Sequence, residues 1–347
     1  MAEEVPDLRL FTTVPPPADR HGYLGVVRQA ARLAEEAGFR GALVYSDNNT
    51  VDPWVVAQEV LAATTDFAPL VAVQPVYAHP YAVAQRIASY GMLYGRRIAL
   101  NLVAGGVVGD LTALGDATPH DDRYLRLTEY AQLVSLLLAG AGPVTFEGRY
   151  YRARNLPLAP ALPAGLAPEL YMSGSSEAGR RAAGTLGAVP VRYPVPPGPG
   201  TEGDLGGLDG GGVRIGIIAR DTDREAWTVA HERFPASRAG RLAQMLARGV
   251  SDSEWVARLS AADEFPGGPD SPYWMGPFRT YATFCPYLVG SHEKVEAEIA
   301  RYLDAGCRTF IMDTARAASD YTATAAAFAG ARRRRRRGGP DAAPVGP

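Results

Sequence analysis

The chain has 347 residues, of which 47% are apolar, so it can bury a sizeable core in one large domain or two ordinary ones. Its 35 basic and 37 acidic residues nearly balance, which gives no indication of nucleic-acid or membrane binding. The two cysteines, Cys285 and Cys307, have neither metal-ligand spacing nor the pattern of a disulfide framework. An acidic start at Met1–Pro6 and the lack of a long apolar run predict a cytoplasmic protein.

Short β-rich runs alternate with helical patterns along most of the chain. The predicted strands are Leu8–Thr13, Gly41–Ser46, Phe67–Gln74, Ile98–Val103, Leu170–Ser173, Ala188–Tyr193, Val213–Ala219 and Arg308–Asp313. Helices are predicted between them: Asp52 and Pro53 are typical of a helix start, and Asp122–Ala139 has helical apolar spacing. Eight β/α units predict an α/β fold, a (β/α)8 TIM barrel with insertion loops. An open doubly wound sheet, which usually has fewer strands, is the alternative.

Three stretches interrupt this alternation. Gly142–Arg154 alternates aromatic and polar residues and predicts a small β-excursion. Pro194–Gly212 is rich in Gly and Pro and is interpreted either as a lid or as a disordered insertion. An arginine run followed by Gly, Pro and Ala ends the chain. We therefore predict one barrel domain over residues 1–330 and a disordered tail over residues 331–347.

Residues at the predicted carboxyl ends of the strands are the candidates for a site, because TIM-barrel active sites lie there. They are Thr12, Thr13, Asp47, Asn48, Asn49, Thr50, Gln74, Asn101, Ala104, Ser173–Ser176, Arg192, Arg214 and Asp313. Few are charged, and they include no paired carboxylates, metal-ligand motif or nucleophile motif. A polar but nearly neutral site favours an organic cofactor that brings its own reactivity, and no metal.

The segment Met172–Glu177 is the strongest local signal. Ser173 ends a strand and Gly174 permits a tight turn. Ser175 and Ser176 then open a helix, whose N–H groups and hydroxyls would bind a phosphate. Plain N-capping of the helix by a serine is the competing interpretation.

A second signal begins at His120, just before a helix, with Tyr124 about one turn further along. Side chains at this spacing share one face of a helix, so both can point into one pocket. In the competing interpretation, Asp121 or Asp122 caps the helix and the neighbouring charges lie in solvent.

The order and spacing of several segments resemble the bacterial luciferase-like flavin-dependent monooxygenase superfamily, and within it the alkanesulfonate monooxygenase branch. The segments are Asn101–Gly106, His120–Tyr124, Phe146–Tyr151, Ser173–Gly179, Arg214, Arg220–Thr222 and Leu288–Gly290. Each motif is weak alone, but together they extend from Leu8 to Phe328 in the order that the superfamily has.

This resemblance implies a TIM barrel that forms a homodimer or homotetramer and receives FMNH2 from a separate NAD(P)H:flavin reductase. It implies that FMNH2, O2 and a small-molecule substrate give FMN, water and an oxygenated product through a C4a-(hydro)peroxyflavin. The implied cofactor-binding residues are Asn101, Ala104, His120, Tyr124, Ser173, Gly174, Ser175 and Ser176. The implied catalytic residues are Arg214 and Thr50.

Three positions depart from the alkanesulfonate branch. Thr50 stands where that branch carries a cysteine, and Gly216 stands where it carries a histidine, two residues after Arg214. Ala104 replaces a small hydroxyl residue, which removes one possible hydrogen bond to flavin. We expect the missing imidazole at Gly216 to leave space for a bulkier organic substrate. The flavin machinery is therefore better supported than sulfonate specificity.

Three other functions fit the same residues. The first is alkanesulfonate monooxygenase activity proper. The second is an F420-dependent oxidoreductase on the same scaffold, which would transfer hydride without consuming O2. The third is a noncatalytic flavin-binding barrel, which a turnover assay with a flavin reductase would distinguish from an enzyme.

Overall fold

The computed structural model describes residues 8–17, 21–194, 206–249, 254–262 and 271–338. The chain divides into two compact units by its contacts. The N-terminal unit consists of Phe11–Arg192 and Gly249–Val256, and the C-terminal unit comprises Met1–Leu10, Tyr193–Arg248 and Ala257–Pro347. The single domain over residues 1–330 stays a prediction.

Six parallel strands alternate with helices in the N-terminal unit. In sheet order the strands are β1 (Arg9–Thr13), β2 (Gly41–Val44), β3 (Ala68–Val73), β4 (Ala99–Leu102), β7 (Glu169–Ser173) and β8 (Val189–Arg192). The helices are α1 (Tyr23–Glu36), α2 (Pro53–Ala63), α3 (Pro80–Tyr94), α4 (Val108–Ala113), α5 (His120–Leu138) and α6 (Glu177–Leu186). All six predicted strands of this part of the chain are present, and their carboxyl ends share one edge of the sheet.

Local chemistry explains where α2 begins and how it packs. The Asp52 carboxylate accepts hydrogen bonds from the backbone N–H groups of Trp54 at 2.8 Å and Val55 at 3.4 Å, and Pro53 occupies the first turn. This confirms the predicted helix start. The cap orients Trp54 into a core that α2, α3 and α5 form against β3 and β4. Helix α5 begins at His120, two residues before the predicted start.

The predicted β-excursion is a separate two-stranded antiparallel sheet. It consists of β5 (Val144–Glu147) and β6 (Arg152–Leu156). Glu129 on α5 holds the turn between these strands, because its carboxylate accepts hydrogen bonds from the backbone N–H groups of Arg149, Tyr150 and Tyr151.

The C-terminal unit has a sheet in the order β10-β11-β9-β12. The strands are β9 (Gly212–Arg220), β10 (Tyr273–Trp274), β11 (Tyr287–Ser291) and β12 (Thr309–Met312). The helices that follow Tyr193 are α7 (Asp223–Arg233), α8 (Arg238–Gly249), α9 (Glu254–Ala262), α10 (Gly276–Arg279), α11 (His292–Asp304) and α12 (Ala318–Gly338). Both β11 and β12 run parallel to β9. Strand β11 was not predicted, because a short apolar run directly before a helix is ambiguous in sequence.

The chain end differs from the predicted boundary. Helix α12 continues through Gly338, and the structure describes none of residues 339–347. Arg334 lies 3.4 Å from Glu293, and Arg335 lies 2.5 Å from Asp304, so α12 is tied to α11 within the arginine run. Part of the predicted loop Pro194–Gly212, residues 195–205, also lies outside the described residues. No helix among the described residues is long and apolar enough to cross a bilayer.

Candidate functional site

A tight turn joins β7 to α6 in the N-terminal unit. Gly174 has a φ of 152°, a conformation that residues with a side chain rarely adopt. Ser176 caps α6 by accepting a hydrogen bond from the Gly179 N–H at 3.2 Å, so the capping interpretation holds for this residue. Ser175 is 6% exposed, and its hydroxyl oxygen has no partner in the described part of the chain. A buried hydroxyl without a partner is costly, so Ser175 is available to donate a hydrogen bond to a ligand.

Tyr124 packs directly on this turn. A Cβ added at Gly174 would lie 2.6 Å from the Tyr124 hydroxyl, and one added at Gly179 would lie 3.2 Å from its ring. His120 is on the same helix, with its ring centroid 5.2 Å from that of Tyr124. The structure therefore brings His120, Tyr124 and the serine turn together. Helix α5 has no side-chain cap, so the alternative role for Asp121 and Asp122 does not hold.

The neighbouring strand adds two of the predicted residues. The Ser173 hydroxyl donates a hydrogen bond of 2.9 Å to the Asn101 side-chain oxygen, which joins the ends of β7 and β4. Asn101 and Ala104 are each 5% exposed, and Ala104 belongs to the same core cluster as Tyr124. All eight predicted cofactor-binding residues thus lie in the N-terminal unit.

An ion pair holds the loop that precedes His120. Arg126 lies 2.5 Å from Asp116, and the Thr118 hydroxyl donates a hydrogen bond of 2.6 Å to the same carboxylate. Burial opposes ionisation of Asp116, but the hydrogen bonds from Arg126 and Thr118 outweigh it and lower its pKa to about 2. The charged form of Asp116 therefore stabilises the loop.

We expect Asp116→Asn to lower the free energy of unfolding by about 2 kcal/mol at neutral pH, because each unit of pKa shift corresponds to about 1.4 kcal/mol. The Asp116 pKa is below its ordinary value of 3.8. Its stabilising effect is thus complete above about pH 4 and is lost as the pH falls through about 2. Urea denaturation of the wild type and the variant from pH 7 to pH 2 measures the difference. The exposed pair Glu147–Arg152 supplies the control, Glu147→Gln, and a pH-independent difference for Asp116→Asn would contradict the assignment.

A separate cavity of about 280 Å³ lies within the N-terminal unit, beside the ends of β2 and β3. Its lining residues are Ser46, Asp47, Thr50, Val51, Asp52, Pro53, Trp54, Ala72, Val73, Gln74, Tyr77, Ala78, Val83, Arg86 and Tyr130. Thr50, one of the two predicted catalytic residues, is therefore a cavity residue. Apolar and polar side chains share the other walls in similar proportion, and Arg86 supplies a cation.

Arg214, the other predicted catalytic residue, lies in β9 of the C-terminal unit and is 5% exposed. Its Nη1 donates a hydrogen bond of 3.3 Å to the Tyr193 hydroxyl, and its Nη2 lies 3.9 Å from an Asp313 oxygen. The Tyr287 hydroxyl donates a 2.6 Å hydrogen bond to the other Asp313 oxygen. Arg214 is thus a buried cation held by a tyrosine and a carboxylate.

The expectation that Gly216 leaves space for a substrate is wrong. A Cβ added at Gly216 would lie 2.3 Å from the ring of Tyr287, which is 1% exposed. The aromatic ring from β11 fills the position that an imidazole would need. The sequence analysis missed this because it did not identify β11, in which Tyr287 pairs in register with Gly216 of β9.

Arg86 on α3 was not among the sequence candidates, because it lies inside a helix with no motif around it. Tyr130 on α5 belongs to the segment that begins at His120, but no role was predicted for it. Only the packing of the helices brings both residues to one cavity.

A family profile described as luciferase-like monooxygenase matches residues 9–197, more than half of the chain. The chain belongs to the luciferase-like monooxygenase family. It is 34% identical over 299 residues to 4-(γ-L-glutamylamino)butanoyl-[BtrI acyl-carrier protein] monooxygenase BtrO of Niallia circulans, with 84% of this chain and 86% of the relative covered. This membership confirms the predicted class, a flavin-dependent monooxygenase of the luciferase-like type.

Two solved structures show the fold. A riboflavin lyase with modified FMN and riboflavin is 18% identical, with a TM-score of 0.70, covering 95% of this chain and 92% of that one. An F420-dependent secondary alcohol dehydrogenase with an F420-acetone adduct is 14% identical, with a TM-score of 0.58, covering 94% and 99%. Likeness to luciferase-like structures over nearly the whole chain confirms the (β/α)8 class predicted from sequence.

Proposed function

We propose that this protein is a two-component monooxygenase, which receives FMNH2 from a separate NAD(P)H:flavin reductase and oxygenates a small organic substrate with O2. The observation that carries the proposal is the buried Ser175 hydroxyl without a described partner, next to a glycine turn that Tyr124 covers. We further propose a cytoplasmic homodimer or homotetramer, as the resemblance implies.

The β7–α6 turn fits a flavin phosphate. The N-terminus of α6 carries partial positive charge, and its first N–H groups point outward. Ser175 would donate its hydroxyl proton to a phosphate oxygen, and Gly174 lets the backbone approach closely. Asn101, Ala104, His120 and Tyr124 would hold the rest of the cofactor.

When bound, FMNH2 supplies two electrons to O2, so that one oxygen atom enters the substrate and the other leaves as water. The protein's own task is to exclude water and to hold charge where the substrate reacts. Arg214 would do the second, because a guanidinium stays protonated and Tyr193 fixes its position. Thr50 would present a neutral hydroxyl to the cavity of the N-terminal unit.

We propose the substrate as a chemical class. The relative from Niallia circulans is named for an acyl group linked to a carrier protein. We propose a carrier-linked acyl chain as the first candidate to assay, followed by free metabolites that can be oxygenated at carbon, nitrogen or sulfur.

We expect the protein to bind FMNH2 at least about tenfold more tightly than FMN, since it shares flavin with a reductase; tenfold corresponds to about 1.4 kcal/mol. His120→Ala and Tyr124→Phe should each weaken FMNH2 binding by about 1–3 kcal/mol, with the fold intact. Anaerobic titration of the flavin-free protein measures all of these affinities.

Tyr94→Phe, a hydroxyl deletion on α3, serves as the matched control. Co-purification of tightly bound oxidised FMN, or direct reduction of bound flavin by NAD(P)H, would rule out the two-component proposal. Wild-type affinity in both site variants would show that His120 and Tyr124 do not bind flavin. Because a structural neighbour uses F420, oxidation of reduced F420 without O2 uptake would favour that cofactor instead.

We expect poor release of sulfite from alkanesulfonates. A sulfonate needs several convergent donors, but Arg214 already faces Asp313, and Tyr287 occupies the place beside Gly216. Efficiency should lie well below about 10^4 M⁻¹s⁻¹, which is ordinary for enzymes. The assay uses sulfonates of graded chain length with a flavin reductase, and an authentic alkanesulfonate monooxygenase as positive control. Efficient sulfite release would place the protein in the alkanesulfonate branch.

A further inference from the structure

The cavity in the N-terminal unit contains a cation that no carboxylate neutralises. Arg86 forms no ion pair or hydrogen bond with another described residue; its recorded contact is with the Trp54 ring, 5.7 Å from the ring centroid. Asp47 and Asp52 line the same cavity, but both are exposed. Their recorded hydrogen bonds go to the backbone N–H groups of Asn49, Trp54 and Val55.

Tyr130 adds a hydrogen-bond donor to this cation. It is 1% exposed, and its hydroxyl oxygen has no partner in the part of the chain that the structure describes. Burial raises the pKa of Tyr130, so the hydroxyl keeps its proton at neutral pH, while the nearby charge of Arg86 acts in the opposite direction. The buried Tyr130 hydroxyl is costly unless a ligand meets it. The half-buried Arg86 guanidinium lines the same cavity and is available to pair with an anion there.

The remaining walls define the rest of the ligand. Ala72, Val73, Ala78 and Val83 supply apolar surface beside the polar lining residues, and 280 Å³ accommodates a chain of several methylenes. A carboxylate matches the planar fork of a guanidinium and can accept a further bond from a hydroxyl. A sulfonate is tetrahedral, so at most two of its three oxygens can lie in the plane of that fork.

We propose that this cavity binds an aliphatic substrate chain by a terminal carboxylate, which pairs with Arg86 and accepts a hydrogen bond from Tyr130. The inference rests on the proposed monooxygenase function only in calling the ligand a substrate. Arg86 and Tyr130 are then specificity-determining residues, and the preferred substrate carries an anionic end.

Ligand-observed NMR titration of the flavin-free protein tests the site without turnover. Hexanoate should bind at least about tenfold more tightly than the neutral hexanamide, because a hydrogen bond to a charged group is stronger than one to a neutral group. Arg86→Gln should abolish this preference, and Tyr130→Phe should weaken hexanoate binding severalfold. Arg154→Gln removes an exposed arginine on β6 and should change nothing.

If Arg86→Gln does not fold, Arg86→Lys replaces it in the same comparison of hexanoate with hexanamide, because it retains the charge but not the planar fork. Four results would overturn the inference: equal binding of hexanoate and hexanamide, wild-type preference in Arg86→Gln, tighter binding of hexanesulfonate, or displacement of hexanoate by FMN. The last would assign the cavity to flavin. Because these titrations need no flavin or O2, they can contradict the carboxylate site while the monooxygenase proposal stands. Conversely, the monooxygenase proposal can fail while the titrations support the carboxylate site.

Discussion

Asp320→Ala should destabilise the protein by about 3–5 kcal/mol, because it leaves buried cations without their partner. Asp320 is 3% exposed, and its carboxylate accepts hydrogen bonds from Arg220 at 2.8 Å and Arg233 at 2.7 Å. It also accepts from the backbone N–H groups of Arg316 and Ala317. Burial opposes its ionisation, but the arginine hydrogen bonds outweigh this and lower the Asp320 pKa.

Urea denaturation followed by circular dichroism measures this loss. Asp304→Ala is the matched control, because Asp304 is 62% exposed and pairs only at the surface with Arg335. Exposed pairs contribute about 0–1 kcal/mol, so the control should stay close to the wild type. An equal loss for the two variants would show that the Asp320 cluster contributes no more than a surface pair.

Gly216→Ala should destabilise the C-terminal unit by about 3 kcal/mol, and Gly216→His by more, because both force atoms into a filled core. The added Cβ would meet the Tyr287 ring at 2.3 Å. That ring cannot move aside freely, since its hydroxyl is held by Asp313 and its neighbour Phe234 packs at a centroid distance of 5.1 Å.

Gly184→Ala is the control for Gly216→Ala. It lies inside α6 with open space around the added Cβ, so it should be neutral or stabilising by up to about 1 kcal/mol. Thermal denaturation compares the two variants. A Gly216→Ala protein as stable as the wild type would mean that the Tyr287 ring can move away from Gly216. The expectation of space for a substrate beside Gly216 would then be supported again.

The predictions for Asp320 and Gly216 concern different parts of the C-terminal unit. Asp320 stabilises the C-terminal unit through residues outside any candidate pocket, whereas Gly216 determines what can stand next to Arg214. In this chain, a histidine two residues after Arg214 would require a smaller residue in place of Tyr287. The pair Gly216 and Tyr287 is therefore mutually compatible, whereas histidine and Tyr287 are not.

The alternation of strands and helices, the α2 start at Asp52 and the serine turn after β7 were predictable from the amino-acid sequence. These features depend on hydrophobic period, capping and turn chemistry, which act between residues close in the chain. The grouping of His120 with Tyr124 was predictable for the same reason, since one helical turn separates them.

The surroundings of Gly216, Arg86 and Tyr130 could not be predicted before the fold was known. Tyr287 reaches Gly216 from a strand 71 positions further along the chain, and Arg86 and Tyr130 meet one cavity from two different helices. Such contacts depend on how apolar faces pack, and many distant partners satisfy the same local pattern. A glycine in the sequence therefore marks a close approach without identifying the side chain that makes it. Likewise, a cation without an ion-pair partner cannot be recognised until its neighbours are known.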